Sequence, residues 1–306
     1  MSAASPRVLV LCKRTSFRKL VEEDGDPRIE GLIRKGDITV RRMRRSHDDH
    51  ESTVREVRAA LETVGAETIF QDGPRSTIVG AYDLIMTVGG DGTLLSASHQ
   101  IGPGVPLLGV NSAPEHSVGF FCGAKKGSVL GTVRAALDGT LKRVVLSRMR
   151  VQKDDATIHA RVLNEALFCA ASPAATSRYI LRIFDAKGEM LAEEEQRSSG
   201  LWIGPAAGST AAQKSAGGRV LPLSSRRIQY VVREPYTPYG IALKLTVGLA
   251  PDGGRVELRN KMREAKIFLD GHHNVHDSTI GDVITMSQSA ETLTVLGLSR
   301  SPRKGS

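Results

Sequence analysis

The stretch "YDLIMTVGGDGTLLSASH", Tyr82 to His99, decides how this chain is read. It begins as a continuous apolar run, the pattern of a parallel strand covered on both faces. It then breaks into two glycines, an aspartate, a third glycine and a threonine. In open α/β sheets, ligands bind beyond the carboxyl ends of the strands. Gly89, Gly90 and Gly92 permit close backbone approach and can present N–H groups to an anion. "TLLSASH" can start a helix whose N-terminus favours phosphate. Asp91 then stands beside phosphate, placed to accept a hydroxyl proton or to assist a metal. The plainer alternative is a turn whose aspartate only caps the next helix. No Gly-x-x-x-x-Gly-Lys-Ser/Thr loop exists, which excludes a P-loop enzyme.

Upstream, "RVLVLC" has strand length, "DDHESTVREVRAALETVG" carries Val54, Val57, Ala60, Leu61 and Val64 at helical spacing, and "ETIF" is a second short strand. Downstream, "VPLLGVN" reads as a strand and "GSVLGTVRAAL" as a helix. This rhythm predicts an α/β N-terminal domain with an open parallel sheet over residues 1–140. Beyond Gly139 the pattern changes. "KRVVLSRMRVQ", "IHARVLNEALFCA", "RYILRIF", "IQYVVRE", "IALKLTVGL", "RVELRN", "EAKIFLDG", "DVITMSQS" and "TLTVLGL" are all strand-like. They predict a β-rich C-terminal domain over 141–298, followed by a disordered basic tail, 299–306.

The chain has 306 residues, 40% apolar and 25% charged, as in an ordinary globular protein. No apolar run nears the roughly 18 residues that span a bilayer. The start "MSAASPRVLV" lacks the basic opening and long apolar region of a signal peptide. Three cysteines make a poor disulfide framework, so a cytoplasmic, membrane-free protein is expected. The net charge of +9 fits a polyanionic substrate. Aromatic residues are only 4%, which argues against a base-stacking nucleic-acid platform. The densest basic cluster, "RRMRR" at 41–45, reads as a solvated face or loop. The basic stretch "CKRTSFRK" follows the first strand, where Lys13 or Arg14 can reach phosphate.

Two further motifs carry chemistry. "VLNEALF" places Asn164 and Glu165 inside an apolar run, where adjacent strand residues face opposite sides and need polar partners. They can hold ribose hydroxyls, or sit at a strand end with their polar groups satisfied. "GPAAGSTAAQKSAGG", 204–218, is dominated by small residues and supplies the hydroxyls of Ser209, Thr210 and Ser215. Gly217 and Gly218 end it as a helix C-terminus would.

"GGDGT", "LNE" and "GSTAA…SAGG", in that order and at these separations, resemble the NAD kinase family. The first turn alone is shared with diacylglycerol and sphingosine kinases; the third segment is the specific signal. The resemblance implies the NAD kinase/diacylglycerol kinase-like fold. It also implies transfer of the γ-phosphoryl group of ATP, or of polyphosphate, to the 2′-hydroxyl of the adenosine ribose of NAD+ or NADH, with Mg2+ or Mn2+ on the phosphates. By residue match, Asp91 is the catalytic base. Gly89, Gly90, Gly92 and Thr93 contact phosphate, and Asn164 and Glu165 hold the dinucleotide. Thr210, Ala211 and Ser215 line the adenine and its ribose, Ser209 belongs to the same segment, and Asn111 is a further candidate. Asp270–Gly271 matches the family's Asp-Gly at a strand end. Family members are commonly homo-oligomers through the β-rich domain.

The plant-type NADH kinase branch is similar at "GVNS", "SPAATSR", "RSSGLWI", "AAGSTAA" and "VREP". Where typical NAD kinases carry an acidic residue before the Gly-Leu, this chain has Ser199, and it has Ala212 where they have Tyr. Their short Asn-x-Gly-x-Leu-Gly-Phe stretch is replaced by "NSAPEHSVGFF". The nicotinamide ring is cationic in NAD+ and neutral in NADH. A nearby carboxylate favours the cation by about 1–4 kcal/mol before screening, and serine removes that bias. Acceptance of NADH at least as well as NAD+ is therefore expected. The alternatives are a lipid kinase and a non-catalytic NAD(H)-binding regulator. The former should lack "GSTAAQKSAGG"; the latter should have lost Asp91.

Overall fold

The computed structural model describes residues 4–73, 78, 80–237 and 242–298; the tail read as disordered lies outside them. The chain divides into two compact units, one formed up to Val144 and again from Leu293, the other by Val145–Thr292.

In the first unit the apolar runs become strands β1 (Arg7–Cys12), β2 (Glu67–Asp72), β3 (Leu84–Gly89), β4 (Leu107–Asn111), β5 (Cys122–Lys125) and β6 (Arg143–Leu146). β2, β1, β3 and β4 lie side by side, all parallel, and β5 pairs with the end of β4. Helices α1 (Pro27–Arg34), α2 (Met43–Thr63), α3 (Asp91–Ser98) and α4 (Val129–Leu137) connect them. Val57, Ala60 and Leu61 of α2 and Val129 and Val133 of α4 pack with Val8, Val10, Leu84, Met86, Val88, Leu108 and Val110 in one buried cluster. α2 begins well upstream of its apolar stripe, so Met43–Arg45 of the basic cluster form its first turn. The stretch read as a basic loop after β1 turns into a π-helix at Arg18–Glu23.

The second unit is a sandwich of two antiparallel sheets. Its strands are β7 (Met149–Lys153), β8 (Ala156–Val162), β9 (Ala166–Ala170), β10 (Ser177–Phe184), β11 (Met190–Ser198) and β12 (Leu201–Gly204). They continue with β13 (Gln229–Val232), β14 (Val247–Leu249), β15 (Arg255–Asn260), β16 (Ala265–Leu269), β17 (Asn274–Ser278) and β18 (Val283–Gln288). One sheet runs β11-β10-β15-β18-β7-β8 and the other β14-β13-β12-β9-β16-β17. Alternate residues of both, such as Leu181, Val256 and Ile284 facing Phe168, Ile203 and Ile267, form one core. Phe168 meets Tyr179 edge to face at 5.6 Å.

The structure differs from the sequence reading in further places, and "KRVVLSRMRVQ" is one of them: it divides into β6 and β7, which enter different sheets. "IHARVLNEALFCA" is two strands in different sheets, broken at a bend at residues 163–165, so Asn164 and Glu165 are not inside a strand. The glutamate-rich β11 was not legible as a strand because it is a charged edge that pairs only with β10. The last strand, β19 (Leu293–Leu296), pairs in parallel with β4 and lies between it and β6, rather than in the β-rich unit.

Candidate active site

In the first unit, the sequence from Gly89 to Thr93 passes from the carboxyl end of β3 into α3. A Cβ on Gly89 would overlap the Thr93 side chain, and one on Gly90 would lie 2.6 Å from the Ser117 hydroxyl. Gly89 is therefore required by the turn's own packing, and a side chain at Gly90 would displace the Ser117 hydroxyl. Gly92 has open space where its side chain would be, so packing does not require glycine there. Asp91 is half-buried, and its two carboxylate oxygens accept the N–H groups of Phe120 (2.9 Å) and Phe121 (2.8 Å). The carboxylate thus holds the "SVGFF" segment over the turn as well as standing beside it. Asn111, 4% exposed, is committed to the same segment: its amide donates to Ser117 O and accepts from Ala113 N.

Two histidines that the sequence reading did not single out stand behind this edge on α2. His50 Nδ1 lies 3.0 Å from the Ser112 hydroxyl, and Ser112 N donates to Gly89 O. Burial, reinforced by the Lys13 charge, lowers the His50 pKa to about 4, so the ring is neutral. His47 Nδ1 lies 2.8 Å from the Thr15 hydroxyl, which ties α2 to the loop after β1. The spacing of three along the helix was visible; its partners, 32 and 62 residues distant, were not.

In the second unit the Asn164–Glu165 bend is clamped by Asp270. One carboxylate accepts the N–H groups of Leu163 (2.7 Å), Asn164 (2.6 Å) and Glu165 (3.0 Å), and Asp270 N donates to Glu165 O. Asp270 adopts φ 50°, a left-handed conformation that aspartate tolerates better than most residues. Glu165 is 8% exposed and its Oε2 has no hydrogen-bond partner among the described residues. Burial first, and the Asp270 charge second, push its carboxyl pKa up to about 7. A buried carboxyl oxygen without a partner is uncommon in a folded protein and marks Glu165 as a candidate binding group.

The small-residue segment packs directly on this bend. A Cβ on Gly204 or Gly208 would strike the Asn164 carbonyl, so glycine is required at both. Ser209 is fully buried and satisfied internally, donating to Ala206 O and accepting Leu221 N. Thr210 and Ala211 are half-buried and Ser215, at the end of the short α5 (Ala212–Ser215), is exposed. Gly217, at φ 95°, terminates that turn. Gly204, Gly208 and Gln213 thus meet the Asn164 carbonyl, and Thr210 and Ala211 lie between the last two in sequence. Ser199 is not among them: it lies at a bend two residues before β12, five residues upstream of Gly204. There its N–H donates to Arg233 O, and Arg233 donates back to its carbonyl at 3.4 Å.

The ATP-NAD kinase N-terminal domain model matches residues 36–129. A probable NADH kinase of Oryza sativa subsp. japonica is 34% identical over 263 residues, covering 81% of each chain. This chain belongs to the NAD kinase family. The NADH kinase of Arabidopsis thaliana is 36% identical over 229 residues, 70% of this chain and 72% of that one. Among solved structures, yeast NADH kinase complexed with NADH is similar with TM-score 0.67 at 16% identity, covering 99% of this chain and 86% of that one. An Archaeoglobus fulgidus NAD kinase in complex with ATP gives TM-score 0.65 at 20% identity, covering 97% and 95%. The α/β unit with a parallel sheet followed by a β-rich unit is the NAD kinase fold.

The resemblance to NAD kinases implies a divalent ion on the nucleotide phosphates. Among the described residues no three His, Cys, Asp or Glu side chains gather as a metal cage. A Mg2+ that arrives on nucleotide phosphates needs only one or two carboxylates, and Asp91 is the carboxylate at this turn.

Proposed function

We propose that this protein is an ATP-dependent NADH and NAD+ kinase that phosphorylates the 2′-hydroxyl of the adenosine ribose. The buried, partnerless Oε2 of Glu165, beneath the Gly204–Ala211 segment, carries the reading. In a bound dinucleotide a ribose hydroxyl donates to that oxygen. In the transfer itself, the 2′-oxygen forms the new P–O bond and the bond between the γ-phosphorus and the β-bridging oxygen breaks. ADP leaves and the hydroxyl proton passes to Asp91. The oxygens of Asp91 each accept a single N–H, so each keeps lone-pair capacity for that proton. Gly92 and the start of α3 present backbone donors to the transferred phosphoryl group. Mg2+ or Mn2+ neutralises the donor's phosphates when bound. Reduced thiols are consistent with a cytoplasmic enzyme, and burial raises the Cys12 pKa to about 12, which makes that thiol inert. Association of copies through the β-rich unit, as the resemblance implies, belongs to the same reading.

The resemblance to NADH kinases supports use of the reduced substrate, with Ser199 standing where typical NAD kinases carry an acidic residue. The test supplies ATP and Mg2+ with NAD+ and NADH in parallel, with Asp91→Asn as control. Faster NADP(H) formation from NADH, lost in the control, is expected. NAD+ turnover alone would remove the preference and leave the kinase; turnover of neither would remove both.

A further inference from the structure

Two fully buried glutamines, Gln213 of α5 and Gln229 of β13, lie behind the Asn164–Glu165 bend. Gln229 stands opposite Gly204 in the pairing of β12 with β13. Its Oε1 accepts the N–H of Arg219 at 2.8 Å, and its Nε2 donates to Gln213 Oε1 at 3.0 Å. Gln213 Nε2 in turn donates to the Asn164 carbonyl at 3.5 Å, the longest link of the relay. A backbone N–H can only donate, so Arg219 sets the direction of the whole chain. Each amide accepts on the Arg219 side and donates toward Asn164. Two glycines make room for it. A Cβ on Gly204 would strike Gln213 Nε2, and one on Gly218 would lie 2.7 Å from Gln213 O and 3.0 Å from Gln229 Nε2. Burying two amides carries a desolvation cost that methionines of similar shape would avoid. A fully bonded buried network fixes one geometry in return.

The geometry fixed here is that of one peptide. The Asn164 carbonyl and the Glu165 N–H belong to the same planar unit. Gln213 holds its oxygen, and Asp270 Oδ1 accepts its N–H at 3.0 Å. The Asn164 and Glu165 side chains leave from the two Cα atoms at the ends of that plane, so a tilt of the plane moves both. We propose that Gln213, held by Gln229, is a positioning residue for the dinucleotide: it sets the peptide plane from which Asn164 and Glu165 reach the ligand. The inference rests on the kinase reading above and extends it to two buried residues behind the binding bend.

The test combines steady-state kinetics, amide hydrogen exchange and urea unfolding of the full chain. Gln213→Met keeps the shape of the side chain and removes the donor to Asn164. It should raise the KM for NADH about tenfold, leave kcat and the KM for ATP unchanged, and speed exchange of the Glu165 amide about tenfold. That variant leaves Gln229 Nε2 without its acceptor. Gln213→Met/Gln229→Met removes the orphaned amide, and Arg219 is exposed, where water can replace its lost partner. The urea midpoint of the double variant should therefore recover toward the wild type while the KM for NADH stays raised. A relay with only a structural role would behave differently, the KM recovering together with the midpoint. That result, an unchanged KM for NADH, an equal rise in both KM values, or unchanged Glu165 exchange would overturn the assignment. Turnover by the wild type tests the kinase reading separately. If dinucleotide is phosphorylated and Gln213→Met leaves the KM for NADH unchanged, the kinase reading stands and the positioning role falls. If none is phosphorylated, the kinase reading falls and the role at a dinucleotide falls with it; faster Glu165 exchange in Gln213→Met would then describe a structural relay alone.

Discussion

Glu165 shows at the scale of one residue how a binding site is held ready at a cost to stability. In the free protein its carboxyl is buried against the Asp270 charge, with a pKa raised to about 7 from 4.5. Because the folded value is the higher one, the folded state binds more protons than the unfolded state between pH 4.5 and 7. Stability from this group is therefore present at low pH and lost as pH rises through that window. Glu165→Gln removes the charge and keeps the shape. It should leave stability nearly unchanged at pH 3, below the window, and raise it at pH 8 by an amount on the order of 3 kcal/mol, read from urea midpoints. An equal effect at pH 3 and pH 8 would mean that Glu165 ionises freely in the folded protein. The KM for NADH should rise in the same variant, since an amide oxygen is the weaker acceptor for a ribose hydroxyl. Asp91 is a different case. The Asp91→Asn control must be checked for folding, because an amide can accept only one of the two N–H groups that the carboxylate accepts.

At the scale of elements, the bend between β8 and β9 depends on a residue more than 100 positions downstream. Asp270→Ala would leave the N–H groups of Leu163, Asn164 and Glu165 without their acceptor. A single buried unsatisfied donor costs about 1–3 kcal/mol, so partial loss of three bonds should lower stability by several kcal/mol. The dinucleotide KM should rise with it, and Asp270→Asn should recover part of both. A wild-type KM in a destabilised Asp270→Ala protein would show that the bend does not need its clamp to bind. Here the sequence was partly legible. Asn-Glu within an apolar run marked the place, and the glycines at 204 and 208 marked a close approach. What they approach, the Asn164 carbonyl, was not legible because the contact joins segments 40 residues apart. Ser199 shows the opposite: it is close to the third motif in sequence and separated from it by the length of β12.

At the scale of the whole chain, the first unit's sheet is completed by its last described strand. Leu293, Val295 and Leu296 are at most 1% exposed, and burying three such side chains contributes about 5–9 kcal/mol. That is comparable to the entire stability of a typical domain. A chain ending at residue 292 should therefore lose the thermal transition of the first unit in calorimetry while the sandwich retains its own. Two intact transitions would show that β19 is dispensable.

The local order of strands and helices, the turn after β3 and the three motifs could all be read from the residues themselves. They depend on burial periodicity, backbone freedom at glycine and hydrogen-bonding capacity, which are properties of short segments. Which sheet each strand enters, the return of Leu293–Leu296 to β4, the partners of His47 and His50, and the relay from Gln229 through Gln213 to Asn164 came only from the tertiary structure. A strand-like run carries the same pattern whichever sheet receives it. A glutamine among small residues is the same residue whether it faces solvent or a buried carbonyl. Only the packing of distant segments distinguishes these cases, because the energies that select among them are contacts the local sequence does not contain.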